Sequence, residues 1–182
     1  IFHGHGLRDV LKRADQRVDG STVFGYWVND PERYGVAEFD ASGKVVDLVE
    51  KPENPRSNYA VTGLYFYDGN ASDYAAELKP SPRGELEITD LNRCYLDAGD
   101  LRLETLGRGH AWLDTGTHES FVQATNFIQI IEQRQGLKIA CLEEIAFNRG
   151  FIDSSQFQNL IGATRNPDYR SYLEMVLAES GR

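Results

Sequence analysis

The sequence predicts an α/β fold, and three observations carry that expectation. Four segments before residue 68 are rich in β-branched and aromatic residues. Apolar residues recur at helical spacing through most of the remaining chain. Gly, Pro and Asp punctuate the boundaries between the two kinds of segment. Taken in order, "STVFGYWV" (21–28), "YGVAEFD" (34–40) and "KVVDLVEKP" (44–52) read as strands. "DASGK" between the second and third predicts a hairpin turn with Gly43 at positive φ. "NYAVTGLYFYD" (58–68) reads as a longer, mostly buried strand, with Gly63 at a bulge or a close backbone approach.

Helices follow. "ASDYAAELK" (71–79) ends at Pro80, and "GELEITDLNRCYLDAGD" (84–100) places Leu91, Tyr95 and Ala98 on one face. "LRLETL" (101–106) is a short strand. From Thr117 to Gln135 the apolar positions Phe121, Ala124, Ile128 and Ile131 define a helix that Gly136 stops. After "LKIACL", "SSQFQNLIG" and "PDYRSYLEMVLAES" predict two amphipathic helices, the second with Pro167 in its first turn. The tail beyond about residue 137 reads as a packing or assembly appendage, so the expected division is 1–136 and 137–182.

The chain has 182 residues, 41% hydrophobic and 26% charged, with a net charge of −9. That balance argues against a nucleic-acid or anionic-membrane surface as the main partner and leaves room for phosphate binding through a few placed cations. Cys94 and Cys141 are far apart and form no C-x-x-C pair, which suits reduced thiols in a cytosolic setting. No apolar run approaches membrane-spanning length and no secretory leader is recognised. The chain opens Ile1-Phe2-His3-Gly4 without Met, so it is expected to begin inside a longer protein.

Several short stretches carry chemistry. In "VEKPENP", Pro52 is expected to hold Lys51 extended at a strand end. Lys51 suits a phosphate and Glu50 suits sugar hydroxyls, although two solvated surface charges would look the same. In "NDPERYGVAEF", Tyr34 and Gly35 mark either a backbone approach to a ligand or a plain entry to a strand. "PSPRGELEITD" sets Arg83 and Gly84 ahead of a helix whose free N–H groups attract anions, with Glu85 and Glu87 as first-turn charges. In "WLDTGTHESF", Asp114 is a metal carboxylate or a turn residue, and no second carboxylate adjoins it. His3 and His5 alternate in "FHGHG" without further zinc ligands, and His110 and His118 belong to no Ser–His–Asp order. Tyr65, Phe66 and Tyr67 read as sheet packing. Neither G-x-x-x-x-G-K-[ST] nor G-x-G-x-x-G occurs. Phosphate and hydroxyl readers without a nucleophile fit transfer of a phosphorylated sugar better than hydrolysis.

In this order "NDPERYGVAEFD", "EKPENPRSNYAVTGLYFYD", "RGELEITDLNRCYL", "GRGHAWLDTGTHESF", "NFIQIIEQRQGLKIACLEEIAF" and "GFID" closely resemble bacterial glucose-1-phosphate thymidylyltransferases, the dTDP-glucose pyrophosphorylases. The resemblance runs from Ile1 to about Ile152. It implies a Rossmann-like (GT-A-like) nucleotidyltransferase core, incomplete at the N-terminus, with a helical C-terminal appendage. The implied reaction joins dTTP and α-D-glucose 1-phosphate into dTDP-glucose and pyrophosphate. That reaction belongs to dTDP-deoxysugar synthesis, such as dTDP-rhamnose for lipopolysaccharide and other cell-surface polysaccharides.

By the same resemblance Tyr34, Gly35, Glu50, Val61, Thr89 and Trp112 form the sugar pocket. Lys51 and Arg83 hold phosphate, and Asp114 is a magnesium (Mg2+) ligand. The partner carboxylate is expected just upstream of Ile1, along with a glycine-rich loop. A cytoplasmic homotetramer is implied, as is a regulatory nucleotide site to which His3, Gly4, Arg108, Glu144 and Ile145 could belong, with ordinary interface packing as the alternative. Two other functions remain open: a non-catalytic sugar-phosphate-binding or oligomerisation fragment, and a pyrophosphorylase for another nucleotide.

Overall fold

A computed structural model describes residues 1–179, and the chain divides into two compact units, Ile1–Leu113 and Asp114–Arg182. In the first unit, β2 (Ser21–Trp27), β3 (Gly35–Phe39), β4 (Val45–Glu50), β5 (Tyr59–Tyr67) and β6 (Leu101–Leu106) form one sheet. Its order is β4-β3-β5-β2-β6, antiparallel except for the parallel β2–β6 pair. A separate ribbon pairs β1 (Phe2–Gly4) with β7 (His110–Trp112).

The strands form where the β-branched and aromatic runs predict them, within a residue or two. Gly43 makes the hairpin turn at φ 83°. The register of β5 slips beside Gly63: Val23 pairs with Tyr65, but Gly25 pairs with Val61. The irregularity expected at Gly63 is therefore a bulge.

Two helices cover the sheet. α1 (Leu7–Asp15) repeats Leu7, Val10, Leu11 and Ala14 at i, i+3, i+4 and i+7, a pattern that buries one stripe. That stripe packs with Phe24, Phe66 and Leu106. α2 (Ala71–Glu77) is short, and α3 (Ile88–Ala98) buries Thr89, Leu91, Asn92 and Tyr95. Ala98, expected on that face, is exposed. The Tyr67 hydroxyl donates to Asn92 Oδ1 at 2.7 Å, and the Tyr95 hydroxyl donates to Asp68 Oδ1 at 2.6 Å. Asp68 Oδ2 also accepts from Gly20 N–H at 2.8 Å, so one carboxylate ties β5, the start of β2 and α3 together. These bonds, led by that from Tyr95, hold the Asp68 carboxyl below its usual range.

The helix expected over 84–100 begins only at Ile88. Gly84 N–H donates to the Ser81 carbonyl and Ser81 N–H to the Glu85 carbonyl, both at 2.8 Å, closing a tight loop. Gly84 takes φ 80°, a conformation that other residues adopt only with strain, and this ends the helical direction before it starts. The two-histidine strand also shortens: His3 lies in β1, but His5 lies in the turn after it.

The second unit is helical: α4 (His118–Gln135), α5 (Leu142–Asn148), α6 (Ser154–Ala163) and α7 (Pro167–Glu179). Thr117 caps α4 through a reciprocal pair with Ser120, and Gly136 at φ 72° ends it. Asp153 and Gln156 form the same box at the start of α6. Ser180, expected in the last helix, lies outside the described residues. Cys141, Phe157, Ile161, Tyr172, Leu173 and Val176 make the core, with Phe147 stacked on Phe157 at 4.6 Å between ring centroids.

Leu173 is fully buried in that core. Leu173→Ala should destabilise the helical unit by about 2–5 kcal/mol, from lost transfer energy and the cavity left behind. Urea unfolding followed by circular dichroism measures it, and a change under 1 kcal/mol would mean that the unit holds together elsewhere.

Candidate active site

The end of the β3–β4 ladder builds the site. Gly35 pairs with Glu50, and Lys51 N–H donates to the Tyr34 carbonyl at 2.9 Å as the strands part. Lys51 then takes φ 43° instead of the extended backbone expected before Pro52. The hydrogen bond to Tyr34 holds it there, overriding the local preference at a cost of about 1–3 kcal/mol.

Glu50 is the hub. The Thr89 hydroxyl, from the first turn of α3, donates to Glu50 Oε2 at 2.5 Å. Glu50 Oε1 lies 3.7 Å from Arg83 Nη1 and 4.0 Å from Lys51 Nζ. Gly35 makes this possible: a Cβ there would sit 2.9 Å from Thr89 Oγ1 and 3.2 Å from Glu50 Oε2. Its role is close approach between side chains, so the plain strand entry does not account for it.

Arg83 stands at the tip of the 81–85 loop, not at a helix N-terminus, because α3 starts five residues later. Its guanidinium contacts Glu50, Glu87 Oε1 at 3.5 Å and Glu85 Oε2 at 2.9 Å. The Ser81 hydroxyl donates to Glu87 Oε1 at 2.8 Å. The Trp112 ring meets Tyr34 at 5.1 Å and Tyr26 at 6.0 Å, both edge-on, and Arg33 lies over the Tyr34 ring at 5.4 Å. Val61 is half-buried in β5, beside Gly25 of β2.

The structure thus gathers Gly35, Glu50, Lys51, Arg83 and Thr89, and pairs Tyr34 with Trp112. Three further residues belong here that the sequence did not single out for the site. Ser81 and Glu87 hold Arg83. Tyr65 lies close enough for the Glu50 charge to add to burial in raising its phenol above the usual range. Their signal was weak: a Glu at a helix start and a Tyr in a strand have ordinary structural uses.

Asp114 begins the second unit. Its carboxylate makes no hydrogen bond or ion pair with any described residue. Gly116 leaves it room, since a Cβ there would lie 3.1 Å from Oδ2. An unpaired carboxylate supplies the hard oxygen donor that magnesium takes, and it fits as one ligand of that ion. Among the described residues no cluster of three or more His, Cys, Asp or Glu could hold a metal.

The remaining candidates are spread along the chain. His3 and Gly4 lie in β1, opposite Ala111 and His110, and Arg108 sits in the turn between β6 and β7. Glu144 and Ile145 lie in α5, where Glu144 accepts from the Tyr172 hydroxyl at 2.6 Å.

The family described as "Nucleotidyl transferase" matches residues 1–130. The chain belongs to that family. Within it, the chain is 71% identical over 181 residues to the glucose-1-phosphate thymidylyltransferase of Xanthomonas campestris pv. campestris, covering all of this chain and 61% of the relative. It is 49% identical over 177 residues to that of Mycobacterium tuberculosis, covering 97% of this chain and 61% of the relative. The chain therefore spans about three-fifths of the length of the curated relatives it matches. Two solved structures share the fold. One is a Bacillus anthracis protein described as a "Putative Glucose-1-Phosphate Thymidylyltransferase", in complex with sucrose (TM-score 0.59, 42% identity, 70% of this chain and 50% of that one). The other is a UDP-glucose pyrophosphorylase complexed with UDP-glucose (TM-score 0.55, 26% identity, 69% and 49%). The nucleotidyltransferase fold expected from the sequence is thereby established.

Gly35→Ala should part Thr89 from Glu50. The expected loss is about 1.5–3 kcal/mol, that of a hydrogen bond to a charged group. Chemical unfolding of the variant measures it, and wild-type stability would show that the pair shifts without cost.

Proposed function

We propose that the protein to which this chain belongs is a glucose-1-phosphate thymidylyltransferase, joining dTTP and α-D-glucose 1-phosphate into dTDP-glucose and pyrophosphate. The observation that carries the reading is one carboxylate, Glu50, held by Thr89 and flanked by two cations, Arg83 and Lys51. A fixed carboxylate reads sugar hydroxyls, and adjacent cations take the phosphate on the anomeric carbon. The 71% identity to the Xanthomonas thymidylyltransferase supports the same substrates.

The nucleophile is a phosphate oxygen of the sugar phosphate, already ionised at neutral pH. It attacks the α-phosphorus of dTTP, a new P–O bond forms, and the bond to the β-phosphate breaks to release pyrophosphate. No protein base is needed. Lys51 and Arg83 offset the repulsion between the two phosphate-bearing reactants and fix the attacking oxygen in line. Glu50 and Thr89 orient the sugar, while the Tyr34 and Trp112 rings offer an apolar wall. Asp114 would hold magnesium, which when bound neutralises charge on the triphosphate. A cytoplasmic homotetramer and a place in dTDP-deoxysugar synthesis, such as dTDP-rhamnose for surface polysaccharides, belong to the same proposal. No helix among the described residues is long and apolar enough to cross a membrane.

The likeness to a UDP-glucose enzyme favours one second reading, in which the base is uracil. Parallel turnover assays with dTTP and UTP in a protein of the relatives' full length separate the two.

In that protein Lys51→Ala should raise the KM for glucose 1-phosphate about tenfold or more and lower kcat, since it removes a charge from bound phosphate. Unchanged steady-state kinetics would remove Lys51 from the mechanism. Asp114→Asn should weaken Mn2+ binding, read by electron paramagnetic resonance, and reduce turnover at low magnesium. Wild-type ion affinity would make this carboxylate structural.

A further inference from the structure

Three carboxylates share the Arg83 guanidinium, and they are not equivalent. Glu87 is the residue that caps α3, its side chain is 11% exposed, and its Oε1 accepts from the Ser81 hydroxyl. Ser81 Oγ in turn accepts from Arg83 N–H at 3.2 Å. Backbone, hydroxyl, carboxylate and guanidinium therefore close a ring within one loop. Glu50, also on Nη1, has its other oxygen committed to Thr89. Glu85 differs: its side chain is 63% exposed, and it meets Nη2 on the open side at 2.9 Å.

We propose that Glu87, secured by Ser81, is the fixed anchor that positions Arg83, and that Glu85 is an exchangeable counter-ion displaced by the phosphate of the incoming sugar phosphate. The proposal rests on the sugar-phosphate reading above. A guanidinium takes an oxyanion best through parallel N–H groups, so its outward nitrogen must be released first. An exposed ion pair contributes little, so the exchange costs little. A phosphate brings a charge of about −1.5 to −2 and three acceptor oxygens, which outcompete one solvated carboxylate. Glu87 cannot leave as easily, because departure would take away the acceptor of the Ser81 hydroxyl from a side chain that is itself largely buried.

Two measurements on this chain test the two halves separately. Nitrogen-15 spectra of the ligand-free protein report whether the Arg83 guanidinium is restrained. Restrained signals are expected in wild type and Glu85→Gln, and averaged ones in Glu87→Gln and Ser81→Ala, with Ser81→Thr restoring order. Restraint that survives both Glu87→Gln and Ser81→Ala, or is lost in Glu85→Gln, overturns the anchor.

Calorimetry with glucose 1-phosphate, and with glucose as the uncharged control, tests the exchange. Glu85→Gln is expected to bind glucose 1-phosphate about two- to fivefold more tightly with less salt dependence, glucose being unaffected. Equal or weaker binding overturns displacement. If wild type binds no glucose 1-phosphate at millimolar concentration, the substrate reading for this chain fails and displacement with it. The Arg83 signals still decide the anchor in that case.

Discussion

The Thr89–Glu50 hydrogen bond exists only because position 35 carries no side chain. A methyl group there would fall within 2.9 Å of the Thr89 oxygen, so the first turn of α3 could not approach the ladder end. Everything at the site follows from that approach. With one oxygen fixed by Thr89, Glu50 presents the other to Arg83 and Lys51, two cations that would otherwise repel. The carboxylate is thus the spacer that lets two positive charges converge, and under the proposed function it also reads the sugar hydroxyls.

The rest of the first unit keeps α3 at that distance from the sheet. Asp68 accepts bonds from the start of β2 and from Tyr95 in α3, and Tyr67 donates to Asn92 of the same helix. At the other flank Arg93 reaches Asp47 and the Leu48 carbonyl of β4. α3 is therefore pinned by polar contacts to both halves of the sheet, while its apolar residues fill the space between. Such pinning suits a helix that must deliver one hydroxyl to within hydrogen-bond reach of a carboxylate. The helical unit uses the same device. Tyr169 and Tyr172 of α7 donate to the neighbouring Glu143 and Glu144 of α5, and burial pushes the Tyr172 phenol up to about 12.

The strands, the hairpin at Gly43 and the caps of α4 were legible because each depends on a short run of residues with one dominant preference. α1 was not read from the sequence, although Leu7, Val10, Leu11 and Ala14 carry its helical spacing in a short and otherwise polar segment. The start of α3 was not legible, because a Gly at the head of an apolar-periodic run reads equally as loop or cap. Only the Ser81–Glu85 hydrogen bonds decide it for a loop. The pairing of Gly35 with Thr89 was not legible at all. It joins residues fifty-four positions apart, and no local pattern in either segment reports the other. The resemblance named residues one by one, whereas Ser81 and Glu87 enter only through their contacts with Arg83, which no sequence pattern reports.

Lys51 shows how geometry sets one charge apart from an ordinary surface lysine. Among the described residues, two that are not glycine take positive φ, Lys51 and Ala140, so the conformation by itself marks nothing. Ala140 lies between α4 and α5, where a chain turning from one helix to the next has a structural use for it. Lys51 sits where two paired strands diverge, and glycine would serve the backbone there with less strain. What glycine lacks is an ammonium group. The strand end keeps a strained lysine whose Nζ lies 4.0 Å from Glu50, close to the guanidinium that shares the same oxygen. An exposed pair of that length contributes too little stability to offset the strain. The hydrogen bond to Tyr34 holds the backbone in that conformation, and under the proposed function a phosphate is the ligand whose charge and size suit the two cations it brings together.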